Sequence, residues 1–156
     1  MTALSAVLKA RECLRDATPL NRNCGLYCGA ACCQGDEETG MLLFPGEEAL
    51  YEDCSFGRIL PANYSLAGQQ ALLFVCRGEC PRELRPLSCR LFPARILPDG
   101  EIKMDPRAAA VCPLFASGTD GFSPAFRIAL QKASDALLSD ESCRAYLSAL
   151  SVHLRL

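Results

Sequence analysis

Eleven of the 156 residues are cysteine, and nine of them fall between residues 24 and 112. Four stand in Cys24-Gly-Leu-Tyr-Cys28-Gly-Ala-Ala-Cys32-Cys33 and two in Cys76-Arg-Gly-Glu-Cys80-Pro. Another sits inside Arg85-Pro86-Leu87-Ser88-Cys89-Arg90-Leu91-Phe92-Pro93, and Cys112-Pro113 closes the series. Thiolates are soft ligands that select zinc, cuprous copper and iron–sulfur clusters, and metal binding removes the thiol proton. Without an ion, so many neighbouring thiolates would repel one another and be costly to bury. Cys24, Cys28, Cys32, Cys33, Cys76, Cys80, Cys89 and Cys112 make two sets of four ligands, or one cluster with spares. The only histidine is His153, so the site is all-cysteine or cysteine with carboxylate. A Ser-His-Asp triad, a His-rich zinc site or a Cys-His dyad would each have to use that terminal residue.

Spacing bears on which metal. In a helix, positions 24, 28 and 32 would drift only about 40° per step and face one way, while Gly25 and Gly29 let the backbone turn tightly. Structural zinc sites usually use Cys-x₂-Cys pairs. The close gaps here are x₃ throughout, which tilts the expectation from zinc towards an iron–sulfur cluster, whose spacing varies by class. Arg85 and Arg90 bracket Cys89, where they would lower its pKa or hydrogen-bond a cluster sulfur. The competing reading is a surface pair on a proline-braced loop. Glu79, Asp36, Glu37 and Glu38 read as solvated loop residues, and His153 as an exposed residue of a terminal helix. Cys13 and Cys143 stand alone on helical patterns and read as packing thiols.

The Cys-x₃-Cys-x₃-Cys-Cys run with Arg-Pro-x-x-Cys-Arg-x-Phe-Pro resembles the cysteine-cluster family of zinc- or iron-chelating proteins, which includes the flagellin lysine N-methylase type. The resemblance spans about residues 24–113. It implies that Cys24, Cys28, Cys32, Cys33, Cys80 and Cys89 are motif cysteines, with Arg85, Pro86 and Arg90 in the Arg-Pro…Cys-Arg box. Cys76 and Cys112 match the flanking cysteines more loosely. Many members carry x₂ gaps where this chain has x₃. The methylases are much longer, so what the resemblance implies here is metal binding through iron–sulfur or zinc.

The elements that must carry these residues are those of one α+β domain over 1–156. The length suits a single domain and buries enough surface to fold without crosslinks. Residues 2–16 have helical apolar spacing at Leu4, Val7, Leu8 and Leu14, ended by Thr18-Pro19. Met41–Phe44 and Gln70–Val75 read as short strands, Glu47–Asp53 as a short helix, and 76–93 as irregular. Arg95–Leu97 and Glu101–Met104 form a hairpin about Pro98-Asp99-Gly100. Ser123-Pro124 starts a helix to about Leu138, and Ser139 or Asp140 caps a last one; these C-terminal helices cover 123–153.

Sixteen basic against eighteen acidic residues leave a net charge of −2, so no global basic field draws nucleic acid. No run of about 18 apolar residues forms a membrane span, and the N-terminus carries charges where a signal peptide has an apolar core. A reducing, cytoplasmic location follows as the expectation, with metal holding the thiols. The expected partner is a metal ion, with no nucleic acid, no membrane and no protein partner or substrate specified. Three functions stand open. One is an iron–sulfur protein in redox or methyl-transfer chemistry. The second is a zinc-stapled structural or partner-binding module, and the third is metal storage or delivery.

Overall fold

The first helix begins where the sequence supplies a hydroxyl. In the computed structural model, which describes residues 2–19, 40–76, 81–110 and 112–156, the Thr2 side chain accepts from the Ser5 amide at 3.1 Å and caps α1 (Ala3–Cys13). The helix stops at Cys13 rather than running to residue 16. Its buried face is Ala6, Val7, Ala10 and Arg11, whereas Leu8 is 42 % exposed. Helical spacing alone did not distinguish the two sides. The alanines face inward because α1 packs closely on the long helix near the C-terminus.

The strands β1 (Met41–Leu42), β2 (Gly57–Leu66) and β3 (Gln69–Cys76) form an antiparallel sheet in the order β1-β3-β2. Met41 lies opposite Phe74, and Gly57 opposite Cys76. Pro45-Gly46 ends the first strand, with Gly46 at φ 84°, and the chain then makes a 3-10 turn over Glu47–Leu50, not the longer helix the sequence suggests. β2 is absent from the sequence reading because Pro61 stands in its middle and cannot donate to a ladder. As the outer strand among the described residues it tolerates that loss, and its register shifts between Pro61 and Ser65.

At the other end of β2, Gly57 admits no side chain. A β-carbon there would lie 2.5 Å from Phe74 Cζ and 2.8 Å from the Val75 carbonyl. Gly57→Ala is therefore expected to cost about 1–3 kcal/mol, the usual range for overpacking. Chemical denaturation will measure it, and a neutral result would mean the ring moves aside freely.

Residues 81–93 are more regular than their prolines suggest. A 3-10 turn covers Arg82–Leu84, and a short helix, α2 (Leu87–Leu91), follows Pro86. Next comes the expected hairpin, β4 (Ala94–Ile96) and β5 (Ile102–Met104). Gly100 takes φ 90° in its turn, and the Leu97 amide donates to the Glu101 carbonyl at 2.8 Å. Two further 3-10 stretches, Pro106–Ala110 and Pro113–Gly121, lead to α3 (Pro124–Leu138) and α4 (Glu141–Leu154). Both caps are as expected. Ser123 Oγ accepts from the Phe126 amide at 3.2 Å and Asp140 Oδ2 from the Cys143 amide at 2.9 Å.

One apolar core joins α1, α3 and α4 to Leu42, Phe44, Leu73, Leu87, Leu91 and Ile96, so the fold is α+β. Inside it lies a charged island. Arg95, 1 % exposed, donates Nε to Asp105 Oδ2 at 2.9 Å and Nη1 to Ser88 Oγ at 3.1 Å. Arg107 Nη2 reaches the same Asp105 oxygen at 2.9 Å. Among the described residues no helix is long and apolar enough to cross a membrane.

Candidate metal centre

Cys89 lies in the first turn of a helix that could not stand alone. Five residues are far too few for an isolated helix, so α2 depends on what grips it. At its start, the buried Glu47 carboxylate reaches across from the 3-10 turn, and Oε2 accepts from the Leu87 amide at 2.7 Å. Oε2 also accepts from Arg11 Nη1 at 2.9 Å, and Oε1 from the Phe44 amide at 2.9 Å. Burial pushes the Glu47 carboxyl up, while the two amides and the guanidinium pull against it. Arg11 Nη1 further donates to Tyr51 Oη at 2.6 Å, and Tyr51 Oη donates to the Leu84 carbonyl at 2.7 Å. Burial and the Glu47 charge push the Tyr51 phenol well above its ordinary value.

At the other end, Arg90 is a backbone clamp. Its guanidinium donates to the carbonyls of Arg85 (2.8 Å), Arg11 (3.1 Å), Arg82 (3.2 Å) and Glu83 (2.9 Å). Burial and the nearby charge of Arg11 push it below its ordinary value. Of the five N–H donors an arginine has, four are engaged with peptide oxygens. Arg90 is therefore not the solvated surface charge of the second sequence reading. Arg85 lines a cleft together with Cys89, Arg90, Arg82, Phe92 and Pro19.

The predicted ligands divide as follows. Cys24, Cys28, Cys32, Cys33 and Cys80 lie outside the described residues, as do Asp36, Glu37, Glu38 and Glu79. Cys89 and Cys112 each pack against one small apolar cluster of Met41, Phe92 and Ala108. Cys76, at the end of β3, packs on a second cluster of Leu43, Tyr51 and Phe74, which adjoins the first because Met41 pairs with Phe74. Among the described residues alone, no three His, Cys, Asp or Glu side chains stand close enough to hold an ion.

Three described residues that flank the other cysteine-bearing segments lie close to Cys89. Pro19 immediately precedes residues 20–39, and it shares the cleft with Cys89. Met41 follows that segment after Gly40 and shares the cluster with Cys89 and Cys112. Arg82, two residues beyond 77–80, lines the cleft as well.

Cys13 and Cys143 are packing thiols, as expected. Cys13 lies against the main core and Cys143 within it. Burial, followed by the Asp140 charge, pushes the Cys143 thiol up to about 12, which leaves it an unreactive thiol at neutral pH. His153 is exposed and stacks on Tyr64 at 4.1 Å between ring centroids. Cys54 escaped the sequence reading, having no close cysteine in sequence, yet it packs on the same cluster as Cys76. Glu47 escaped too, because its partners Arg11 and Leu87 lie 36 and 40 residues away. No family model, curated protein or solved structure matches this chain.

Proposed function

We propose that this protein binds a soft metal, as an iron–sulfur cluster or zinc, through Cys24, Cys28, Cys32, Cys33, Cys76, Cys80, Cys89 and Cys112. The observation that carries the proposal is that Cys89 and Cys112 pack against one small cluster that includes Met41, while Pro19 lines the cleft beside Cys89. A metal there would tie together stretches far apart in sequence, and its binding energy would be folding energy. The resemblance of the Cys89 box to metal-chelating cysteine-cluster proteins supports the same reading. The arginines of the cleft would offset the negative charge of a thiolate centre. An iron–sulfur centre would serve redox or methyl-transfer chemistry, and the reducing cytoplasm is the location that suits these thiols.

The test is the metal content, acid-labile sulfide and absorption spectrum of protein purified without oxygen. A brown protein with sulfide identifies an iron–sulfur centre. A colourless one with tightly held zinc identifies a zinc-stapled module, and weak, variable occupancy a storage or delivery role. Cys89→Ser should lose a metal equivalent or the cluster, whereas Cys13→Ser and Cys143→Ser should retain full occupancy. A Cys89→Ser protein with full metal content overturns the assignment.

A further inference from the structure

We propose that Glu47 is a positioning residue for the Cys89 thiol, acting through the backbone of α2. The inference rests on the metal-binding reading and adds to it the part of the fold that aims the ligand.

Three observations carry it. Pro86, at the N-cap of α2, contributes no side-chain hydrogen bond to the helix, and the Leu87 amide is instead taken by Glu47 Oε2 at 2.7 Å. The carboxylate is itself held from two other directions, by the Phe44 amide and by Arg11. Arg11 then passes through Tyr51 Oη to the Leu84 carbonyl, so the chain on both sides of Pro86 is fixed to one buried ion pair. Cys89 is two residues beyond Leu87 and one before the Arg90 clamp.

An apolar replacement of similar volume often supports a core as well as a buried ion pair does. What the carboxylate adds is direction, since three donors must meet its two oxygens. Metal–ligand distances are fixed to within about 0.2 Å, so a ligand on a five-residue helix requires such a reference point. Groups that orient ligands from outside the coordination sphere typically change metal affinity by about 10–100-fold when removed.

The experiment is a cobalt(II) titration of the metal-free full chain, read by the thiolate-to-cobalt charge-transfer absorption. It compares wild type, Glu47→Gln, Tyr51→Phe and Leu130→Val. Glu47→Gln should bind about 10-fold more weakly or worse with an altered band. Tyr51→Phe, which keeps the ion pair but frees the Leu84 carbonyl, should show a smaller change in the same direction. Leu130→Val, in the main core on α3, should lower stability and leave affinity and spectrum unchanged.

Wild-type affinity and spectrum in both Glu47→Gln and Tyr51→Phe would overturn the positioning role while leaving metal binding intact. An equal loss of affinity in Leu130→Val would overturn it too, since any loss of stability would then suffice. Absence of a thiolate band in wild type would remove the metal-binding reading and this inference with it. Should Glu47→Gln fail to fold, Tyr51→Phe against Leu130→Val decides the matter.

Discussion

Asp105→Ala is expected to cost about 3–5 kcal/mol, the range for removing one partner of a buried ion pair. That is a large share of the 5–15 kcal/mol by which domains are typically stable. The reason is what the substitution leaves behind. Arg95 would keep its charge inside the core with only Ser88 Oγ beside it, and Arg107 would lose three hydrogen bonds to the carboxylate. The Asp105 side chain is fully buried.

Burial alone would push its carboxyl up. The hydrogen bonds from Arg107 and the charges of Arg95 and Arg107 outweigh burial and hold it below the usual range. A depressed folded-state pKa means that the stabilisation is complete above the unfolded carboxylate value of about 3.9 and is lost as pH falls through the lower folded value. Guanidinium denaturation at neutral pH will measure the main loss, and the acid limb of the stability curve should be shallower in Asp105→Ala. Pairing the change with Arg95→Met should recover much of the loss, because the stranded charge goes too. A cost below about 1 kcal/mol would show that water reaches Arg95 after all.

Removing the proposed metal is expected to have the second large effect. Structural zinc contributes about 10–16 kcal/mol of apparent binding energy in small zinc domains. If the cysteines hold an ion as proposed, chelation should lower the thermal midpoint strongly. The loss should not be uniform. The helices α1, α3 and α4 share a core built from Ala6, Val7, Phe126, Leu130, Leu137 and Leu147, which needs no thiolate. Amide exchange should therefore rise first around α2 and the end of β3, where Cys89 and Cys76 sit, and later in α3 and α4. Identical melting of metal-free and metal-loaded protein would defeat the ligation proposal.

The parts of this fold that were legible in the sequence are those whose determinants are local. Ser123-Pro124, Asp140 and Asp99-Gly100 each announce a cap or a turn within a few residues, and each forms as read. β2 was illegible because its proline is admissible only on an outer strand, a fact about the sheet and not about the segment. α2 was illegible because its first amide is satisfied from Glu47, 40 residues away. Of the candidate site, spacing identified Cys89 and Cys112, which pack against the same small cluster. It could not show that Arg90 would be consumed by four carbonyls, since those acceptors come from two different elements. Leu8 shares the helical apolar spacing yet lies outward, because the face of α1 packed on the neighbouring helix is the one with the small alanines.

The proline of β2 has a consequence beyond the sheet it belongs to. An outer strand of ten residues would ordinarily offer a row of hydrogen-bonding groups to another chain, inviting aggregation. Here the row is interrupted at Pro61, the register slips before Ser65, and Arg58 adds an exposed charge. The strand is thus a poor template for amyloid-like extension. Replacing Pro61 with a β-branched residue such as valine would restore the missing donor, and with it the hazard of chains adding edge to edge.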